Sequence, residues 1–389
     1  MKILVFGGSF DPVHRGHLAL LRAADRRLRP DRIVLLPSGR PPHKAPPAAC
    51  FSDRVALLKA ALREPGARRF ARRTVIDRFE ERGRGPHYTV RSLGHLRRRW
   101  PGAEFFLLIG SDQLASFGRW HRPDRIRRLS RLVAGRRRGA SRPREDVLWL
   151  RGLFPELSSS QVRGVLAEGR SPAPFVPKAV EREIRRRGLY GTAWIAWLRA
   201  RLEPGRLRHT FAVVRAAAAL AERHGLDVWK ARQAALLHDA GRAFDRSGLL
   251  RYARAHPLKV PRRGEIERRE PMLLHAYVSA DLARRRFGVS DPDVLGAIAR
   301  HTLGAPGMTP LQRLLYVADA GSEDRMFPHA KRIRDAGARG LTEGLRLAAK
   351  MKLDWVRSQG GWVHPLGEAT LQWASKTQDA RRRTQDARR

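Results

Sequence analysis

The sequence predicts an α/β domain built on a parallel sheet, followed by an all-α domain. A chain of 389 residues is long for one hydrophobic core and suits two. Up to about residue 190, apolar segments such as KILVFGG, DRIVLLPS and AEFFLLIGSD alternate with amphipathic helical segments. This alternation is typical of parallel strands joined by right-handed crossovers. Beyond that point an Ala/Leu/Arg-rich helical periodicity replaces the strands. We therefore expect domains at 1–190 and 191–370.

The remaining strands of the first domain are predicted from TVID, LVAGR and VLWL. The segment GLYGT at 188–192 serves as a connector, and WIAWLRARL opens the helical domain. The end of the chain, 371–389, carries the near-duplication TQDARR and is basic and polar. We expect it to be disordered, because it offers few residues for a core.

The charge of the chain is strongly positive. Lys and Arg number 79 against 37 Asp and Glu, a formal net charge of +42. Such an excess of positive charge is typical of proteins that bind a phosphate backbone. Here, however, short Arg runs are spread through both halves, and no nucleic-acid-reading motif accompanies them. A general preference for Arg is the favoured interpretation, and weak, salt-sensitive nucleic-acid binding stays open.

Membrane and export signals are absent from the sequence. No apolar run approaches the roughly 20 residues of a membrane span, and the N-terminus enters a strand pattern directly. We expect a cytoplasmic protein without a membrane partner. Cys50 is the single cysteine, which excludes an intrachain disulfide and a cysteine-rich zinc site.

The stretch GGSFDPVHRGH at 7–17 follows the first predicted strand. Gly7 and Gly8 allow a sharp turn close to a ligand, and Ser9 with the following amides can donate hydrogen bonds to phosphate. His14 and His17 lie three residues apart at a predicted helix start, so both rings project towards its N-terminus. This end of a parallel sheet is where ligands bind. The pattern predicts a polyphosphate site.

These residues resemble the signature of the nucleotidyltransferase superfamily that contains nicotinate-nucleotide adenylyltransferase. The likeness continues through PSGRPPHK at 37–44, HYTV at 87–90, IGSDQL at 109–114, Trp120 and SSSQVR at 158–163. Two conservative departures are Ser160, where the family has Thr, and Val162, where it has Ile. The resemblance covers nearly all of 1–190 and implies a Rossmann-like fold.

The resemblance implies adenylyl transfer from ATP to nicotinate mononucleotide with Mg²⁺. Its implied ATP contacts are Gly7, Gly8, Ser9, Phe10, His14, His17, Asp112, Ser159, Ser160 and Arg163. Its implied contacts to the mononucleotide are Lys44, Thr89, Asp112 and Trp120. The reaction needs in-line positioning and positive groups around the phosphates, which His14, His17 and Lys44 are placed to supply. From the first signature alone, pantetheine phosphate, glycerol phosphate or flavin mononucleotide stay open as acceptors.

In the helical half, ligand-type side chains interrupt apolar helices. A buried imidazole or carboxylate needs a partner, and a shared metal supplies one to several at once. The residues are His209, His238, Asp239, His275, His301 and Asp319. Six ligands are too many for one tetrahedral ion, so we predict two, with Asp239 as the bridge. Ligation by His and Asp without thiolate suits iron, manganese or zinc.

The segments RLRHT, LLHDAGR, LLHAY, AIARHTLG and VADAGSEDR, within about 195–367, resemble the HD-domain phosphohydrolases. They are most similar to the branch, often called YqeK-type, that cleaves diadenosine tetraphosphate symmetrically. The resemblance implies that activity, favours iron, and gives Arg242 and Arg325 a role at the phosphates. Arg242 departs from the Lys that many relatives have, which changes the shape of the cation.

Two alternatives stay open for the function. The helical domain could hydrolyse another nucleotide, such as a deoxynucleoside triphosphate or a guanosine polyphosphate. The whole chain could instead be a basic nucleic-acid-binding protein with degenerate sites, which its charge of +42 would favour.

Overall fold

The computed structural model describes residues 1–41, 46–82, 86–135, 145–152, 154–326 and 329–386, and only the backbone within 379–386. The chain divides into two compact units. One comprises Met1–Leu166 with Arg170–Tyr190, and the other comprises Ala167–Gly169 with the chain from Gly191 onwards. Each unit is described by itself below.

The first unit is built on a parallel sheet, as predicted. Its described strands are β1 (Lys2–Gly8), β2 (Arg32–Pro37), β3 (Thr74–Ile76), β4 (Glu104–Ile109), β5 (Arg131–Gly135) and β6 (Val147–Leu150). They lie in the order β3-β2-β1-β4-β5-β6, and every pairing is parallel. This is the order of a doubly wound fold, in which the direction of winding reverses between β1 and β4. The Rossmann-like prediction is confirmed.

Helices cover both faces of this sheet, which is why its central strands are continuous apolar runs. Ile3, Val5, Phe105 and Leu107 are buried at the centre of the sheet. The helices are α1 (Arg15–Leu28), α2 (Phe51–Leu62), α3 (Arg68–Ala71), α4 (Thr89–Arg99), α5 (Ser111–Ala115), α6 (Pro123–Leu129), α7 (Ser159–Ala167) and α8 (Lys178–Arg186). Short 3₁₀ turns lie at Pro65–Ala67, Phe79–Glu81, Phe117–Arg119 and Leu189–Gly191.

Among its described residues, the second unit contains helices, 3₁₀ turns and loops but no strand. Its helices are α9 (Thr192–Arg199), α10 (Pro204–Arg223), α11 (Val228–Leu237), α12 (Arg246–Ala255), α13 (Arg263–Arg269), α14 (His275–Arg285), α15 (Pro292–Arg300), α16 (Pro310–Ala320), α17 (Ala330–Arg339), α18 (Leu341–Ser358) and α19 (Pro365–Asp386). Two 3₁₀ turns, Ala240–Ala243 and Pro271–Leu274, follow α11 and precede α14. A single apolar core runs through α10, α11, α14, α15, α16 and α18. In the described part of the chain, no helix has both the length and the apolar character to cross a membrane.

The end of the chain differs from the expectation of a disordered segment at 371–389. Helix α19 continues to Asp386, and Leu371 and Trp373 pack against the core of the second unit. Ala374 is fully buried. The sequence analysis missed these contacts because the polar TQDARR repeat dominates the composition of the segment.

A charge placed at Ala374 should therefore destabilise the second unit. We expect Ala374→Asp to lower the free energy of unfolding by about 3 kcal/mol, because the carboxylate would be buried without a partner. The matched control is Gln372→Asp, which adds the same residue at an exposed position of the same helix. Denaturant titration followed by far-ultraviolet circular dichroism measures both, and equal stability of the two variants would contradict the packing of α19.

Candidate active sites

Residues 7–9, at the end of β1 and the beginning of the following loop, are called the glycine turn below. They lie at a cavity of about 510 Å³. Gly7, Gly8 and Ser9 line it. A Cβ on Gly8 would come 3.3 Å from the Phe10 ring, so a side chain there would need the ring to shift by a few tenths of an ångström. The ring of Phe10 is itself buried, and the residue has a left-handed backbone with φ of 48°. Phe10 is not among the described residues that line the cavity.

Residues of α4, α5 and the segment before α6 also line the cavity. They include Thr89, the first residue of α4, Gln113 of α5, and Trp120. The cavity thus lies beyond the carboxyl ends of β1 and β4, at the reversal of strand order, where such sheets bind ligands. Its volume suits a small organic ligand. The structure brings Thr89 and Trp120 to the same space as the glycine turn.

Of the predicted contacts Asp112 and Lys44, only Asp112 is among the described residues. Asp112 is an exposed residue of α5 and is not among the residues that line the cavity, whereas its neighbour Gln113 is. Lys44 lies outside the described residues. The roles predicted for both stay predictions.

His14 and His17 lie together at the start of α1. The backbone N–H of His14 donates to Nδ1 of His17 at 3.2 Å, and the ring centroids are 3.7 Å apart. Because Nδ1 of His17 accepts this bond, the proton of its neutral ring is on Nε2, which makes Nε2 a donor. Neither His14 nor His17 is among the described residues that line the cavity. They lie beside the glycine turn, at the N-terminus of α1.

Asp11, which the sequence analysis did not single out, connects the glycine turn with distant segments. Its carboxylate accepts hydrogen bonds from the backbone N–H groups of Ala48 and Ala49, at 2.7 and 3.0 Å, and from the Tyr190 hydroxyl at 2.9 Å. Arg163 donates to the carbonyl of Asp11 at 2.6 Å. The only sequence signal was the position of Asp11 inside the glycine and histidine motif.

The start of α7 meets the same turn. Ser159 Oγ donates to the carbonyl of Pro12 at 2.9 Å, and Arg163 lies 3.1 Å from Ser160 Oγ. Residues separated by about 150 positions are therefore adjacent, as the phosphate-site hypothesis requires.

In the second unit the six predicted ligands converge. His209, His238 and Asp239 form one group with ligand atoms within 4.8 Å of one another, and Asp239, His275 and His301 form a second such group. Asp239 belongs to both, which is the position expected of a bridge. Asp319 joins the first group, because its Oδ1 lies 3.1 Å from Nε2 of His209. All six residues are buried.

Three of these histidines share one orientation. Nδ1 of His238, His275 and His301 lies 2.7, 2.6 and 2.7 Å from the carbonyl oxygen of the residue three positions earlier. A carbonyl can only accept, so each Nδ1 carries the proton and each neutral ring presents the lone pair of Nε2. This is the arrangement of a metal-ligating histidine with its outer hydrogen bond already made.

The lone pairs face one another across the cluster. Nε2 of His275 and Nε2 of His301 are 3.1 Å apart, and Nε2 of His238 has no hydrogen-bond partner among the described residues. Burial lowers the pKa of His238 to about 4, so its ring is neutral at neutral pH. Burial acts to raise the pKa of Asp239, but the neighbouring His238 and His301 hold it well below its usual value. A divalent metal fits this donor set.

His209 is oriented by a carboxylate that the sequence analysis missed. Its Nδ1 lies 2.8 Å from Asp324, and its Nε2 faces Asp319. Burial lowers the pKa of His209, but the hydrogen bond and charge of Asp319 raise it, and the net shift is upward. Because each ring nitrogen of His209 faces a carboxylate, each needs a positive group between them. We expect a proton on Nδ1, facing Asp324, and either a proton or a metal ion between Nε2 and Asp319.

Four cations surround the two buried carboxylates. Arg206 donates to Asp239 at 3.0 Å, Arg325 donates to Asp319 at 2.7 Å, and Lys352 lies 3.4 Å from Asp319. Arg242 lies 3.7 Å from Asp239. Arg242 and Arg325 were predicted here, whereas Arg206 and Lys352 were not, because single cations in an Arg-rich sequence carry no signal.

Each half of the chain matches a known protein family. Residues 5–165 match the family model described as cytidylyltransferase-like, and residues 206–323 match the HD domain model. A Thermomicrobium roseum protein named "Probable nicotinate-nucleotide adenylyltransferase" is 36% identical over 203 residues, which cover 49% of this chain and 92% of the relative. The chain belongs to the nicotinate-nucleotide adenylyltransferase family.

Two relatives of this adenylyltransferase chain extend through the HD domain as well. A Mycoplasma pneumoniae protein is 25% identical over 369 residues, 91% of this chain and 99% of the relative. A Mycoplasma genitalium protein is 26% identical over 352 residues, 89% of this chain and 93% of the relative. Both are named "Probable nicotinate-nucleotide adenylyltransferase/Ap4A hydrolase". An HD domain with this His/Asp cluster binds divalent metal.

Loss of the outer carboxylate should weaken metal binding by the HD domain of this adenylyltransferase-family protein. We expect Asp324→Ala to reduce metal affinity about 10- to 100-fold, because His209 loses the group that fixes its proton on Nδ1. Titration with Mn²⁺ and elemental analysis measure the effect. Glu323→Ala, which removes an exposed carboxylate one residue away, is the control, and equal affinities in the two variants would contradict the assignment.

Proposed function

We propose that this protein is a bifunctional cytoplasmic enzyme. One half transfers the adenylyl group of ATP to nicotinate mononucleotide, giving deamido-NAD and pyrophosphate. The other half hydrolyses diadenosine tetraphosphate to two ADP. The observation that carries the proposal is that relatives named for both activities match this chain along almost their whole length.

In the adenylyltransferase half, the proposal assigns ATP to the glycine turn and the start of α1. The amides after Gly8 and the Nε2–H of His17 are donors for the phosphates, and Arg163, which hydrogen-bonds to the Asp11 carbonyl, adds a guanidinium beside them. Positioning and charge stabilisation are sufficient for this transfer, so no covalent intermediate is needed. Mg²⁺ would accompany the ATP phosphates. Lys44 and Asp112 keep their proposed roles.

We assign the pyridine ring of the acceptor to Trp120, which lines the same cavity as Gly7 and Gly8. We expect Trp120→Ala to raise the KM for nicotinate mononucleotide about tenfold, because loss of aromatic stacking on a planar ring costs about 1–3 kcal/mol. The KM for ATP should change little. Steady-state kinetics with each substrate varied in turn measure both values. Trp120→Phe keeps a ring and should recover most of the loss, and equal effects on both substrates would contradict the assignment.

In the hydrolase half, we propose that the six buried ligands hold two divalent ions, iron in first place with manganese or zinc as alternatives. Such a pair supplies Lewis-acid stabilisation of a phosphoryl centre and activation of water. The arginines around the cluster keep donors free for a substrate. A guanidinium has five N–H groups, and Arg206 uses one on Asp239 in the bonds described.

The charges around this site favour a polyphosphate. Arg206, Arg242, Arg325 and Lys352 have side chains between 29% and 35% exposed, and they oppose two buried carboxylates. Two divalent ions would add to this excess of positive charge. A chain of four phosphates brings a compensating negative charge, which a single phosphate ester does not.

Purified protein loaded with one metal at a time should convert one diadenosine tetraphosphate into two ADP, resolved by chromatography. We expect Asp239→Asn to reduce this hydrolysis by more than about 100-fold, since loss of a direct ligand exceeds the effect of an outer one. Adenylyl transfer by the same variant should be unchanged and serves as the control.

Other products would contradict the assignment. Formation of ATP and AMP, or cleavage of deoxynucleoside triphosphates or guanosine polyphosphates alone, would exclude symmetrical diadenosine tetraphosphate hydrolysis. Tight nucleic-acid binding at physiological salt without turnover of either substrate would favour the nucleic-acid-binding alternative.

A further inference from the structure

The helices that follow the HD-matched segment reach the metal cluster. The HD match ends at 323, yet α18 and α19 contact the loop after His301. Lys352 of α18 donates to the carbonyl of His301 at 3.1 Å, and Thr370 Oγ1 of α19 lies 3.0 Å from the carbonyl of Leu303. The loop that carries His301 is therefore held by residues outside the matched segment.

Lys352 differs from the arginines of the site in how its donors are used. Its Nζ lies 3.1 Å from the His301 carbonyl, 3.4 Å from Asp319 Oδ2 and 4.0 Å from the centre of the Tyr316 ring. Tyr316 and Asp319 are three residues apart on α16, so they present one surface to the ammonium. An ammonium has three N–H groups, and each has a protein partner here. No donor is left over for a substrate.

The two polar partners of Lys352 belong to different halves of the cluster. Asp319 pairs with His209 in the first group of ligands, and His301 belongs to the second group with His275. We propose that Lys352 is a positioning residue that fixes the spacing between these two groups, so that the cluster takes up two ions rather than one. The proposal rests on the proposed metal-dependent hydrolase and names a residue on which its metal stoichiometry depends.

The chain offers a matched control on the same helix. Lys350 is two residues away, is exposed, and pairs with Asp354 at 2.7 Å on the outer surface of α18. Lys350→Met removes the same charge and adds the same side chain without touching the cluster. Any effect of Lys352→Met beyond that of Lys350→Met therefore comes from the contacts with Asp319 and His301.

The test uses the full-length protein and Mn²⁺ alone as the metal probe. We expect wild type and Lys350→Met to bind two ions, and Lys352→Met to bind one of them about 10- to 100-fold more weakly, as outer-shell losses do. Lys352→Arg keeps the charge and should restore part of the affinity. With diadenosine tetraphosphate, kcat of Lys352→Met should fall while its KM stays within about twofold, because no donor of Lys352 faces the substrate.

Several results would overturn the proposal. Unchanged Mn²⁺ affinity in Lys352→Met would do so, and a raised KM with normal metal content would make Lys352 a substrate contact instead. Lys352→Gln, which keeps a polar donor, provides a second variant if Lys352→Met fails to fold. Wild type that binds two ions without cleaving diadenosine tetraphosphate would overturn the proposed hydrolase activity alone, because the metal measurement needs no substrate.

Discussion

The HD site depends on one local interaction that is repeated three times. His238, His275 and His301 each lie where a helix or 3₁₀ turn reaches its last residues, and each directs Nδ1 to the carbonyl three positions earlier. The carbonyls of Met272 and Ile298 also accept the backbone N–H of the same histidine, so each imidazole adds a second donor to a carbonyl of its own turn. This bond to Nδ1 fixes the tautomer and leaves Nε2 as the acceptor. The tautomer of each of these histidines is therefore set by a local contact.

Packing then brings lone pairs and carboxylates together in a site that a cation would stabilise. Once α10, α11, α14, α15 and α16 share a core, the Nε2 atoms and two carboxylates are buried together. Burial without compensation would neutralise the carboxylates. Instead the pKa of Asp319 is held well below its usual value, since Lys352 and His209 outweigh the effect of burial. The site keeps its negative charges because cations from several helices converge on them.

The sequence alone predicted the six strands and singled out the six buried His and Asp residues of the cluster, because both have local signals. Strands such as KILVFGG are apolar runs, and each of the six residues interrupts an apolar helix. Asp324, Arg206 and Lys352 have no such signal, since they are polar residues among many in a basic chain. Their importance comes from tertiary contacts with Asp239, Asp319 and His209. Similarly, Asp11 stood in a recognised motif, but its bonds to Ala48, Ala49 and Tyr190 required the fold.

The same reasoning explains why the sequence analysis did not predict helix α19 at the chain end. The TQDARR repeat is polar, and composition predicts disorder for it. Leu371, Trp373 and Ala374 precede the repeat and extend the apolar face of α19, which the described helix then continues through the polar residues. A boundary drawn from composition missed an anchor of three residues.

The two proposed phosphate sites are held together by different physical means. In the first, the buried carboxylate of Asp11 holds the residues after β1 through hydrogen bonds from Ala48, Ala49 and Tyr190. In the second, buried Nε2 lone pairs and two carboxylates from separate helices converge, which is a donor set for a cation. Metal binding to such a cluster is coupled to the stability of the helices that carry it, because the ligand set exists only in the folded state. The stability of the helical unit therefore depends on its metal, whereas the turn of the first unit is held by hydrogen bonds of Asp11 that form without one.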